Sequence, residues 1–198
     1  MNRITITAQT KVGKSRTLEA MEDLYKSYFF HQPYEFVSAG QLMRKRADEL
    51  GMSIGEFVSH MTVHPEEGHD KWVDDQIAAC AHRSRVVVEG RVVHSFLPDA
   101  FHVLLECDMA TRAERTARAN GTDPDVERAK IFKRDEDDIA RFSMKYPGCM
   151  WDPKHFHLRI NTAMHSPDEI AHIIMREHSS WVVTIPMDLI SHDSIEQV

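Results

Sequence analysis

The sequence predicts a doubly wound α/β domain, and three observations carry that reading. Short β-branched runs, Arg85-Val86-Val87-Val88-Glu89 and Phe101-His102-Val103-Leu104-Leu105, alternate with stretches of helical apolar spacing, the pattern of a parallel sheet covered on both faces. Near the N-terminus, Ile4-Thr5-Ile6-Thr7 alternates like a strand and passes through a polar turn into Gly13-Lys14-Ser15, which opens a helix. Small or charged groups, Ser38-Ala39-Gly40 and Glu89-Gly90-Arg91, follow two further strands, and ligands of such sheets bind beyond the carboxyl ends of strands. The 198 residues are enough for one sizeable domain with its own core, and no internal repeat or low-complexity linker divides them.

The elements follow in order. After the first loop, Leu18, Met21, Leu24, Tyr25 and Tyr28 recur at helical spacing. Phe36-Val37 is a brief strand ending at the small-residue turn 38–40, and a helix continues through Leu42, Met43, Ala47 and Leu50. Ser53 with Glu56 three residues on is a capping box for the next helix. A polar hinge at His64-Pro65-Glu66-Glu67-Gly68 precedes a helix carrying Trp72, Val73, Ile77 and Cys80. Asp108 caps a helix through Arg112, Arg115 and Arg118, and Asp123-Pro124 opens a long one to about Tyr146. Phe156 to Ile160 reads as the last central strand, Ser166-Pro167-Asp168-Glu169 as a helix start, and Trp181-Val182-Val183-Thr184-Ile185 as an edge strand.

Composition narrows the function. The chain is 42% hydrophobic and 28% charged, as in ordinary globular proteins, and its net charge of −7 argues against a nucleic-acid polymer or an anionic membrane as partner. An anionic ligand would therefore have to meet a local cluster of cations. Cys80, Cys107 and Cys149 are odd in number and lack close pairing, which favours a reducing compartment. With no apolar run near ~18 residues and no leader visible, the expected location is the cytoplasm. Among the 13 histidines, His60 and His64 stand at i, i+4 as helical zinc ligands can, but no third ligand is evident and Pro65 interrupts the helix, so no zinc site is expected there.

The residues with chemistry cluster at strand ends. A strand, a tight loop and a helix opening on Gly13-Lys14-Ser15 are the layout of a phosphate cradle, in which Lys reaches phosphate oxygens and the hydroxyl holds Mg²⁺. Its usual first glycine is Ala8, and Lys11-Val12 stand where small residues are common. Glu89 could hold water around Mg²⁺ and Arg91 could fork a phosphate bidentately, although Glu-Gly-Arg can also be a plain turn. Further on, Arg134, Asp138 and Arg141 stand at i, i+4 and i+7 and share one helix face. That face is either a solvated stripe or, with Arg112 and Arg115, the cation set that phosphoryl transfer needs.

At these residues the chain resembles a known family. SAGQLMRKRADELGMSIGEF, HDKWVD, VVVEGR and KRDEDDIAR together are similar to the cytidylate kinases in their compact archaeal-type form, from about residue 3 to 175. The resemblance implies a three-layer P-loop kinase fold: a central parallel five-stranded sheet, a helical acceptor-binding segment at about 39–82 and a helical lid at about 110–146. The kinase domain would be 1–178 and residues 179–198 a C-terminal extension. It implies ATP and Mg²⁺ as cofactors and a nucleoside monophosphate, CMP or dCMP, as partner, and it leaves the oligomeric state open.

Carried over by position, the resemblance places ATP on Ala8, Gly13, Lys14, Ser15 and Arg16, and Mg²⁺ on Ser15 and Glu89. Ser38, Gly40, Arg44, Asp70, Glu89 and Arg91 would line the acceptor site. Arg134 and Asp138 would hold the acceptor ribose, and Arg44, Arg91 and Arg141 its phosphate. Lys14, Arg112, Arg115 and Arg141 would be the catalytic cations. Three positions depart from the pattern: Ala8, which costs about 1 kcal/mol if its φ must be positive; Lys11; and Val92, where an Asp that reads cytosine is found in bacterial relatives. Two function classes follow: a nucleoside monophosphate kinase or related small-molecule kinase, and a non-catalytic nucleotide-binding module that kept the scaffold.

Overall fold

The alternation of strands and helices builds a five-stranded, all-parallel sheet in the order β2-β3-β1-β4-β5. The structure is a computed structural model that describes residues 2–29, 31–146 and 151–184. The strands are β1 (Asn2–Ala8), β2 (Glu35–Ser38), β3 (Arg85–Gly90), β4 (Phe101–Glu106) and β5 (Leu158–Asn161). The helices are α1 (Lys14–Tyr28), α2 (Ala39–Glu49), α3 (Ile54–Val63), α4 (His69–Ala78), α5 (Met109–Asn120), α6 (Pro124–Lys145) and α7 (Pro167–Thr184).

Strand periodicity sends alternate side chains to opposite layers. Ile4, Ile6, Val87, Phe101, Val103 and Leu105 pack with Met21 and Tyr25 of α1 and Ile170 and Ile174 of α7. On the other face, Val86 and Val88 pack with Ile77, Val93 and Leu97. The threonines of β1 do not face water: Thr5 and Thr7 are both fully buried, and their hydroxyls bond Nδ1 of His102 at 2.8 Å and of His94 at 3.4 Å. A separate small core of Ala47, Phe57 and Met61 holds α2 and α3 together.

Local signals read from the sequence form as expected. Ser53 and Glu56 make the full capping box of α3, Asp108 caps α5, and Asp123 caps α6 with Pro124 at its first position. Three readings are corrected. Ser38-Ala39-Gly40 is not a free turn, because the Ser38 hydroxyl accepts the Gln41 N–H and caps α2 directly. β5 is an edge strand, paired with β4 alone, rather than a central one. Residues 181–184 are the end of α7, not a strand. Ile170, Ile174, His178 and Trp181 continue one helical face, and the Trp181 ring packs on Phe101 at 5.5 Å, so the apolar period overrides the β-branched composition. Ile185, the rest of the segment to 198, and Cys149 lie outside the described residues. Among the described residues no helix is long and apolar enough to cross a membrane.

Candidate active site

β1, β2 and β3 end side by side, with Ser38 opposite Glu89 and Thr7 opposite Gly90 in the ladder. The loops that follow therefore converge at one end of the sheet. The first, residues 9–13, needs left-handed backbone at Lys11 (φ 60°) and Gly13 (φ 110°). Glycine adopts such angles without strain, and a lysine there costs about 1–2 kcal/mol. Ala8 is spared that cost, because it ends β1 without a positive φ and is fully buried. The Lys11 side chain is exposed and lines the same cleft as Gly13 and Arg16.

Other elements fasten this loop and the strand end before it. Arg91 donates to the Ala8 carbonyl at 2.7 Å, and Arg112 donates to the Thr10 carbonyl at 2.9 Å. The Thr10 N–H donates to Asp135 at 3.1 Å, and the Thr162 hydroxyl donates to the Val12 carbonyl at 2.7 Å. Arg112 and Asp135, both almost fully buried, pair at 2.7 Å. The Arg112 Nε is buried and lacks a hydrogen-bond partner among the described residues. It is one unspent donor beside the loop.

Lys14 opens α1, and its Nζ lies 3.0 Å from Glu89 Oε1. The other Glu89 oxygen accepts the Ser38 hydroxyl at 2.6 Å. Burial lowers the Lys14 pKa, and the Glu89 charge offsets part of that shift. For Glu89, burial pushes upward, but Lys14, the Ser38 hydroxyl and Arg91 together hold the carboxyl below its ordinary value. The glycine between Glu89 and Arg91 is sterically required, since a Cβ at Gly90 would stand 2.5 Å from Val93 Cγ1.

Two clefts meet at Lys14 and Ser15. One, of about 660 Å³, is lined by Gly13, Arg16, Arg115, Asn120 and His165 among others. Arg115 is fixed there by a 2.8 Å bond to the Thr162 carbonyl. The second, of about 240 Å³, lies under α2 and α4. Ser38, Gly40, Arg44, Asp70, Glu89, Arg91, Arg134, Asp138 and Arg141 all line it, with Met43, Val73, Val92, Phe96 and Phe142 as its apolar part.

The 134/138/141 face thus points into a cleft, and its members are tied to other elements. Asp138 accepts Arg91 Nε at 2.7 Å and stands 3.6 Å from Arg134 Nε. Arg141 pairs with Asp70 of α4, and Asp74, one turn on, takes Lys145 and the Tyr146 hydroxyl. Of the residues singled out from the sequence, Ala8 is buried beneath the loop and Arg112 behind it, so neither lines a cleft. Sequence reasoning missed Thr10, Asp135 and Asp74. Asp135 stands three before Asp138, and Asp74 four after Asp70, so both were visible as i, i+3 or i, i+4 acid pairs.

Solved P-loop kinases share the architecture. A shikimate kinase from Bacteroides thetaiotaomicron superposes with a TM-score of 0.58 at 13% identity, covering 88% of this chain and 97% of its own. A gluconokinase from Sinorhizobium meliloti 1021 gives 0.55 at 16% identity, covering 91% and 93%. At the sequence level, the cytidylate kinase of Thermococcus kodakarensis is 30% identical over 172 residues, 86% of each chain. Residues 40–164, which contain most of the lining of the second cleft and the loop-fastening α5 and α6, match the cytidylate kinase-like family, and the chain belongs to that family.

Proposed function

We propose that the chain transfers the terminal phosphoryl group of ATP to a nucleoside monophosphate, with CMP or dCMP preferred. The observation that carries this reading is the position of Lys14 and Ser15, which line both clefts and so stand between a donor and an acceptor site. The donor phosphates fit the larger cleft, where the Gly13 turn leaves the first N–H groups of α1 facing it. Arg16 and Arg115 line the same cleft, and the unspent Arg112 Nε stands behind the loop.

On the acceptor side, Arg44 and Arg141 are the cations for the monophosphate, and Arg91 joins them by exchanging Asp138 for phosphate. Arg134 and Asp138 face the sugar hydroxyls from α6. Lys14 is held at the junction by Glu89, so its charge is already placed where negative charge spreads in the transition state. Ser15 and Glu89 offer only oxygen donors, the chemistry Mg²⁺ prefers, and Mg²⁺ held there would neutralise the transferring phosphoryl oxygens. Because both Glu89 oxygens already have partners, its part is through water. The α5–α6 lid (about 110–146) and the acceptor segment (about 39–82) exclude water when both clefts fill.

Val92 leaves an apolar wall at the base end, so UMP is tolerated beside CMP and dCMP. The test is purified protein with Mg·ATP and each nucleoside monophosphate, scored for ADP release. CMP and dCMP should lead the series. A folded protein inactive with every acceptor would overturn the reading and leave a nucleotide-binding module.

A further inference from the structure

A second group of polar side chains converges on the shoulder of the acceptor arm, away from both clefts, and phosphoryl transfer does not use it. His60 lies in the last turn of α3, Glu67 ends the 3₁₀ turn Pro65–Glu67, and His69 begins α4. Nε2 of His60 stands 2.8 Å, and Nε2 of His69 3.0 Å, from the same Glu67 oxygen. The three atoms lie within 4.8 Å of one another. The sequence offered only His60 and His64; the turn over Pro65–Gly68, ending in the left-handed Gly68 (φ 70°), brings Glu67 and His69 against His60.

We propose that His60, Glu67 and His69 form a divalent-metal site of the Zn²⁺ class that staples α3 to α4. Two imidazole nitrogens and one carboxylate oxygen are a donor set that such ions take, with room for water or a further ligand. Tetrahedral ligands about 2.0–2.1 Å from an ion stand roughly 3.3 Å apart. The two His–Glu separations are a few tenths of an ångström below that, so small side-chain rotations open the site. The ring of His69 is fixed already, 8% exposed and 5.3 Å from Phe57, whereas Glu67 at 42% exposure leaves an entrance.

Charge points the same way. Among the described residues, the ion-pair partners of Glu66 and Glu67 are histidines alone: His64 for Glu66, His60 and His69 for Glu67. With neutral imidazoles the shoulder carries two uncompensated carboxylates, which a divalent cation would balance. His64 and Glu66 form a second donor group with Glu67 beside the first. Binding replaces the two Nε2–H donors by nitrogen lone pairs, each neutral imidazole taking the tautomer with its proton on Nδ1. Since His69 precedes Asp70, an occupied site fixes the residue that ties α4 to Arg141.

The test uses the full chain, stripped with a chelator and titrated with Zn²⁺ alone against a competing chelator, with Co²⁺ as the spectroscopic probe. One saturable equivalent is expected, with Co²⁺ bands of four- or five-coordinate geometry. His60→Gln and Glu67→Gln should each weaken binding by about a hundredfold or more and remove those bands. His172→Gln, on the exposed side of α7, should leave binding unchanged, which separates the site from adventitious histidine binding. The metal-free variants should melt near the parent, so a lost fold is recognised by its melt. No saturable equivalent, one that survives both substitutions, or octahedral Co²⁺ would overturn the proposal.

Discussion

The two walls of the site are held by different forces. On the proposed donor side, the loop is fastened by Arg91 just after β3, by Thr162 just after β5, and by α5 and α6, and the Arg112–Asp135 pair among them is shielded from water. On the proposed acceptor side, α4 meets α6 through Asp70–Arg141 and Asp74–Lys145, all of them partly open to solvent. Arg46 of α2 lies 5.6 Å from the Trp72 ring of α4, while Ile77 of α4 packs in the sheet core and a separate three-residue core joins α2 to α3. Water competes for exposed ion pairs and leaves them worth about 0–1 kcal/mol, whereas breaking a buried pair strands a charge. The wall around the 9–13 loop is therefore the more firmly held of the two.

Five substitutions would break or sharpen that contrast. Lys14→Ala removes the one cation at the junction of the clefts. Turnover with Mg·ATP and CMP should fall by about 10³-fold or more while the circular dichroism spectrum stays that of the parent. Full turnover would show that the junction is not the reacting centre.

Asp135→Ala tests the donor side as structure. It leaves Arg112 buried and unpaired and frees the Thr10 N–H, so urea unfolding should show a loss of about 3–5 kcal/mol. A loss below about 1 kcal/mol would put the two walls on an equal footing.

Arg141→Ala tests the acceptor side as chemistry. A charge-assisted bond to phosphate is worth about 1.5–3 kcal/mol, so kcat/KM for CMP should drop at least tenfold with the KM for ATP little changed. An equal effect on both substrates would place Arg141 outside the acceptor site.

Lys11→Gly relieves the left-handed strain, partly offset by the greater freedom of glycine in the unfolded chain. The net gain should be at most about 1 kcal/mol, seen as a raised Tm. A lowered Tm would mean that the lysine stem packs against the loop. Smallest of all, Asp70→Ala should change global stability by less than about 1 kcal/mol while raising the KM for CMP. A stability loss matching that of Asp135→Ala would end the contrast.

Much of the site was legible because its residues sit at places the chain marks locally. Strand ends are announced by apolar runs meeting Gly13, Gly90 or Ser38, and the 134/138/141 face follows from helical geometry alone. Asp135 stands in the same stretch, three before Asp138, but nothing local marks what it bonds. Its partner, the Thr10 N–H, is 125 residues away, and no local pattern announces such a bond. The histidine shoulder escaped for a related reason: His60 and His64 are conspicuous at i, i+4, but the donors that meet His60 come from beyond a chain reversal.

By itself, then, the sequence determined the order of strands and helices, their caps, and the family that the quoted motifs resemble. Those depend on interactions within a few residues: the Ser53–Glu56 box, the Asp108 and Asp123 caps, and periods of two or 3.6. Tertiary structure alone decided that Lys11 rather than Ala8 takes the left-handed backbone, because the path of the loop is set by Arg91, Arg112 and Asp135. It decided that residues 181–184 stay helical, because Trp181 has Phe101 to cover. It also brought Glu67 and His69 onto His60 through the turn over Pro65–Gly68. The physical reason is common to all three: each depends on a partner that only the folded chain brings within reach.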